Sequence, residues 1–178
     1  MKALVTVPSK HGATAEIGEE IAQSLRAAGI EADVLAPEHV ESLAQYGAVI
    51  VGSAVYLGRW MAPAREFVQS HAEQLRTRPV WLFGSGPIIG IEEGKEFSEG
   101  PDFADGDALK DLIGARESRL FAGKIEPEGM GLREKLILRM VKSPWGDYRP
   151  WESIRSWAAS IADAINATPA PATPVAVS

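Results

Sequence analysis

The chain has 178 residues, 46% apolar and 24% charged, with a formal net charge of −6 and no cysteine. That is enough chain for one domain with a sizeable core, of ordinary globular composition. The negative balance argues against nucleic acid as the main partner. Without cysteine there is no disulfide framework, thiolate nucleophile or cysteine-ligated metal or iron–sulfur centre.

Met1-Lys2 leads directly into a strand pattern, so no signal peptide is expected. No apolar run has the length to span a bilayer, and a cytoplasmic location is the expectation. The first strand reads as Lys2 to Val7, and the first helix as Ala13 to Ala28, with Ile17, Ile21, Leu25 and Ala28 on one face and Gly29 as its stop. A second strand follows at Glu31 to Leu35, then a short helix at Val40 to Ala44. The third strand, "GAVIVGSAV", is apolar on both faces, as a central parallel strand is. A helix over Pro63 to Leu75 leads to the fourth strand, "PVWLFGS", where Trp81 reads as core. After it come a polar, Gly-rich stretch at Gly90 to Gly106, a helix at Asp107 to Ile113 and a fifth strand at Ser118 to Ala122. Helical patterns at Leu132 to Val141 and Trp151 to Ile165 finish the domain, which is bounded at residues 1–167. Trp151 and Trp157 fall on the apolar face of the last helix and read as packing residues. The Pro/Ala-rich end, 168–178, reads as a disordered tail.

Alternating strands and helices imply right-handed parallel crossovers, hence a doubly wound α/β fold with helices on both faces of the sheet. Five strands favour the order 2-1-3-4-5, whose switch point lies between the first and third strands. Ligands bind beyond the carboxyl ends there. Three segments at those ends are distinctive. Ser9-Lys10-His11-Gly12-Ala13-Thr14 offers hydroxyls, a glycine for close backbone approach and a helix N-terminus, which together suit a phosphate. A Ser/Thr/Gly loop before a helix is equally a simple cap when taken alone. Ser53-Ala54-Val55-Tyr56-Leu57-Gly58-Arg59-Trp60 is a small-residue turn followed by two large aromatics; Tyr56 and Trp60 either contact a ligand ring or pack inward. Gly84-Ser85-Gly86-Pro87 is a loop expected to supply free backbone amides. A phosphate cradle between two walls suits a flat aromatic ring with a phosphorylated side chain.

The first loop resembles the FMN-binding pattern of the flavodoxin family, hydroxyl-x-hydroxyl-Gly-x-Thr, with His11 departing at the third position. Within that superfamily the chain resembles the menaquinone-dependent protoporphyrinogen oxidase group. The likeness lies in "SKHGATAEIGEEIAQSL", "VIVGSAVYLGRWMAPAREFVQSH" and "REKLILRMVKSPWGDYRPWESIRSWAASIA", and is weakest from Ile91 to Gly106. The resemblance implies a flavodoxin-like fold, FMN as cofactor and electron passage from a reduced organic substrate, such as a porphyrinogen, to a quinone-type acceptor. A flavodoxin-type carrier without substrate turnover is the alternative, and a domain that has lost its flavin is another. Carriers of that kind present an acidic rim; here the rim loops carry Lys10 and Arg59 and no acid before Glu92.

Other chemistries fail on their own motifs. "GSGPIIG" has one residue too many for a dinucleotide fingerprint and follows the wrong strand. No serine stands in a G-x-S-x-G elbow. His39 and His71 lack partners at metal-ligand spacing and read as surface residues, so no metal is expected. Pro8-Ser9 and Gly52-Ser53 stand where a phosphoacceptor domain needs acids. Glu16 suits the helix dipole in the first turn but would repel a phosphate if it faced the loop. From Gly131 to Arg149 there are five Lys or Arg against Glu134 and Asp147, and residues 131–142 form a basic amphipathic pattern. It either meets a membrane surface or lipophilic substrate, or covers the sheet with a solvated basic face. Association into a homo-oligomer stays open.

Overall fold

The chain forms a parallel sheet with helices on both sides, in a computed structural model that describes residues 1–8, 12–56, 58–86, 104–125 and 146–168. In chain order the elements are β1 (Lys2–Thr6), α1 (Ala13–Ala27), β2 (Glu31–Leu35), a 3-10 turn (Pro37–His39), β3 (Ala48–Tyr56), β4 (Arg59–Trp60), α2 (Ala62–Ser70), α3 (Ala72–Leu75), β5 (Val80–Gly86), α4 (Ala104–Ile113), β6 (Glu117–Ala122), β7 (Lys124–Ile125), β8 (Gly146–Asp147) and α5 (Trp151–Asn166). The main sheet runs β2-β1-β3-β5-β6, the expected order once β4 is recognised as a short addition that pairs antiparallel with β3. β7 and β8 form a separate two-stranded pair.

Period-two alternation along the strands builds two cores. Ala3, Val5, Ile50, Trp81 and Phe83 face α1 and α5, where Ile17, Ile21, Leu25, Ile154, Trp157 and Ile161 meet them. Leu4, Val49, Val51 and Leu82 face the other way, against Ala64, Phe67, Val68, Leu75, Leu109 and Ile113. Trp157 anchors the first core, edge-on to Phe83 at 6.2 Å and Phe121 at 5.6 Å, while its indole N–H donates to Glu117 at 2.8 Å. Trp151 is partly buried against the same core.

Local chemistry explains where boundaries moved. α1 ends in a Schellman arrangement: Gly29 takes φ 82°, Ile30 N–H donates to Leu25 O and Gly29 N–H to Arg26 O. The helix expected at Val40 to Ala44 is absent; a 3-10 turn precedes it, led by Pro37, which has no N–H to lose at a first helical position. Ser42 Oγ takes the Ala44 N–H instead, at 3.1 Å. The helix expected from Pro63 to Leu75 breaks at His71, where Ser70 Oγ donates to Glu66 O and the His71 ring sits against Phe67 O. α4 starts at Ala104, inside the stretch assigned to loop. Thr168, assigned to the tail, is tied to α5 by its N–H to Ile165 O and its hydroxyl to Ala164 O. The basic pattern at 132–141 and the tail at 169–178 lie outside the described residues.

Candidate functional site at the carboxyl rim of the sheet

β1 and β3 are neighbours in the sheet, yet their crossovers leave on opposite faces, α1 on one and α2 on the other. This is the switch point, and the expected segments gather at its carboxyl rim. Of the first loop, Ser9, Lys10 and His11 lie outside the described residues; Gly12, Ala13 and Thr14 open α1. Gly12 is the N-cap, at φ 147° and ψ 166°, a backbone state open in practice to glycine alone. No side chain caps the helix there. The first N–H groups of a helix such as α1 have no intrahelical acceptor. Thr6, the last residue of β1, is 0% exposed and its hydroxyl is without a hydrogen-bond partner. Thr6 follows Leu4 at strand spacing and so faces the α2 side of the sheet, while the glycine-only cap at the start of α1 has the chemistry of an anion site.

The second segment is a β-hairpin, not an irregular turn. β3 runs on through Ser53, Ala54, Val55 and Tyr56, and Val55 pairs antiparallel with Trp60 and Tyr56 with Arg59. Gly58 holds φ 76°, while Leu57 lies outside the described residues. Alternation then separates the two aromatics. Val55 and Trp60 share the inner face, and Trp60 is only 2% exposed within the second core. Tyr56 and Arg59 share the outer face, and Tyr56 is 56% exposed. Packing claims Trp60; Tyr56 is the aromatic left open at the rim. Ser53 is also committed: its hydroxyl accepts from Met61 N–H at 3.0 Å and donates to Ala54 O at 2.9 Å. It shapes the hairpin.

The third segment corrects the expectation of free amides. Gly84, Ser85 and Gly86 belong to β5; Gly84 and Ser85 are laddered to β3 on one side and β6 on the other, and Gly86 to β6. They are strand residues, not loop residues, and their backbone belongs to the sheet. Gly86 is needed for closeness: a Cβ there would lie 2.6 Å from Val55 O. Pro87 lies outside the described residues.

Sequence reasoning missed two contributors to this rim, both distant in the chain. Asp105, in the first turn of α4, accepts the Trp60 N–H at 2.9 Å and lies near Arg59 and Arg65, at 3.8 and 3.6 Å. The Arg59 charge expected to stand alone is therefore matched. The other is Arg149. A backbone path crosses the rim from Gly86 O to Gly123 N–H and from Gly123 O to Tyr148 N–H. It delivers the Arg149 guanidinium to the first turn of α1, where it donates to Glu16 at 2.7 Å and to Ala13 O at 3.3 Å. Two further bonds to Asp147, at 2.8 and 2.6 Å, hold it, and the Trp151 ring lies beneath at 4.4 Å. The hydrogen bonds from Arg149 hold the Asp147 carboxyl below the usual carboxylate range, and those to Asp147 and Glu16 raise the guanidinium further. Only the Trp-Gly-Asp-Tyr-Arg-Pro-Trp run signalled this cluster, and nothing in it points to α1.

His71 is stacked on Phe67 at 4.6 Å and His39 is exposed. Among the described residues no three acids or histidines group as metal ligands, and no helix is long and apolar enough to cross a membrane.

A doubly wound parallel sheet in the order β2-β1-β3-β5-β6 defines the flavodoxin-like class of fold. The flavodoxin domain family matches residues 4–149, and the chain belongs to it. Protoporphyrinogen IX dehydrogenase [quinone] of Escherichia coli strain K12 is 22% identical over 173 residues, 91% of this chain and 95% of that one. Flavodoxin 2 of Bacillus cereus, in its oxidised form, superimposes with a TM-score of 0.61 at 22% identity, over 92% of this chain and 99% of that one. Rubredoxin oxygen:oxidoreductase of Desulfovibrio gigas gives 0.61 at 16% identity; this chain is covered over 93% and spans 36% of that protein.

Proposed function

We propose that the chain binds FMN at this rim and passes electrons from a reduced organic substrate, of the porphyrinogen class, to a quinone-type acceptor. The observation that carries the reading is the start of α1: a glycine-only N-cap at the switch point, where a helix leaves its first N–H groups without intrahelical acceptors. When bound, the flavin supplies the redox chemistry, and the protein supplies binding, orientation and local charge. In this reading Gly12, Ala13 and Thr14 hold the phosphate, with Ser9, Lys10 and His11 completing the loop. Tyr56 lies against the ring, with Ala54, Val55 and Gly58 shaping the hairpin beneath it, while Gly84, Ser85 and Gly86 form the opposite wall through their strand backbone.

The dehydrogenase likeness supports the substrate class and the acceptor. Charge supports turnover over the carrier alternative: Asp105 is matched by Arg59 and Arg65, and Glu16 and Asp147 by Arg149, so the described rim is balanced and not strongly acidic. The basic pattern at 131–142 gives the same reading a means of approaching an anionic membrane where a quinone resides.

Titration of the apoprotein with FMN, FAD and NAD tests the cofactor. A helix start with one anion site favours FMN; equal or tighter FAD binding overturns the assignment, and no flavin binding at all supports the flavin-free alternative. Mixing the flavin-loaded protein with protoporphyrinogen IX and a short-chain quinone separates enzyme from carrier, because a carrier leaves the porphyrinogen unoxidised beyond the air background.

A further inference from the structure

Glu16 sits in the first turn of α1 with its carboxylate near the helix start, where an unneutralised negative charge opposes a phosphate. Its partner comes from 133 residues away in the chain. The Arg149 side chain is 3% exposed, and it spends its donors on Glu16, Ala13 O and Asp147. Burying a guanidinium is costly unless it is fully paired, so its two carboxylates and the Trp151 ring hold it in one place. That place is the turn whose amides form the anion site.

We propose that Arg149 is a positioning residue for the flavin phosphate. It fixes the Ala13–Glu16 turn through the Ala13 carbonyl and offsets the Glu16 charge, so that the helix dipole at this start is less opposed in attracting a dianion. The proposal rests on the FMN reading and deepens it. Arg149 touches no part of the flavin; it acts through Glu16 and the turn. Asp147 keeps the fork oriented, which leaves one guanidinium nitrogen for α1.

Riboflavin has the same ring without the phosphate, so comparing FMN with riboflavin isolates the effect. Fluorescence titration of apoprotein is expected to show that Arg149→Met weakens FMN about tenfold and leaves riboflavin unchanged. Adding Glu16→Gln to that variant removes the exposed charge and should restore most of the lost FMN affinity. Arg149→Lys keeps the charge and should fall between. Parallel weakening of both flavins, or no recovery with Glu16→Gln, overturns the proposal and leaves Arg149 as a structural clamp. If Arg149→Met does not fold, Glu16→Gln alone decides: it should tighten FMN at low salt and not riboflavin, and an unchanged FMN affinity counts against the idea. Wild-type protein that binds neither flavin defeats the FMN reading itself; wild type that binds FMN and riboflavin equally defeats the phosphate site. These two failures are visible before any variant is made.

Discussion

Gly12 is the residue on which the proposed anion site turns, for two separable reasons. Its φ of 147° is strained for any side chain, so Gly12→Val should cost about 1–3 kcal/mol of stability whether or not a ligand binds. Its position at the mouth of α1 adds an obstruction to a phosphate. FMN affinity of folded Gly12→Val protein should fall at least tenfold, roughly 1.4 kcal/mol, on top of any loss in melting temperature. A melting loss with unchanged FMN affinity returns the residue to a simple helix cap. The aromatic pair divides just as cleanly. Tyr56→Ala removes an exposed ring and should leave stability within about 0.5 kcal/mol. In the FMN reading it should also weaken binding and brighten the fluorescence of bound flavin, because a quenching ring has gone. Trp60→Ala, deep in the second core, should cost about 3–5 kcal/mol. Urea denaturation of both variants checks the contrast, and comparable losses would overturn the inward–outward assignment.

At the scale of elements, the hairpin β3–β4 is held by α4, which comes 45 residues later than the amide it caps. Asp105→Ala deprives the Trp60 N–H of this acceptor and leaves Arg59 and Arg65 without their carboxylate. The expected cost is about 1–3 kcal/mol. Asp105→Asn keeps an oxygen for the amide and should lose much less, since the two arginine contacts are long and Arg59 is largely exposed. Thermal melts of the two variants test this order. What the sequence revealed follows the same logic. β2 and the last helix were legible because alternation and 3.6-residue periodicity are local signals. The hairpin was not, because its effect depends on the register that puts Trp60 opposite Val55 and so on the inner face. Reading Tyr56 and Trp60 as equivalent aromatics ignored that register. Gly84 and Ser85 looked like loop residues because composition cannot report how far β3 and β6 extend beside them. Asp105 lay in a polar, Gly-rich stretch and gave no sign of its partner.

At the scale of the whole molecule, the switch point was predictable from strand order, and the closure of the rim by the chain's later part was not. Arg149 and Glu16 carry no local pattern that pairs them; the contact exists because α5 packs beside α1 and carries its own lead-in segment to the front of that helix. The same closure should give the fold an acid-sensitive joint. Asp147 has its folded pKa lowered by the Arg149 hydrogen bonds, and Asp33 has its own lowered by Lys2 and then Tyr46. A depressed carboxylate stabilises the fold fully above its unfolded value, near ~3.9, and loses that contribution as pH falls through the lower folded value. Arg149, raised further, stays charged throughout this range and adds no slope of its own. Both carboxylates are partly exposed, so solvent screens their ion pairs. Wild-type protein should therefore melt higher than Asp147→Asn at pH 7 and at pH 5, and the gap should close below about pH 4. Asp33→Asn should converge with wild type over the same window. Melting curves at these pH values make the check, and a gap for Asp147→Asn that persists undiminished at pH 3 would show that its ionisation is not what joins the late segment to α1.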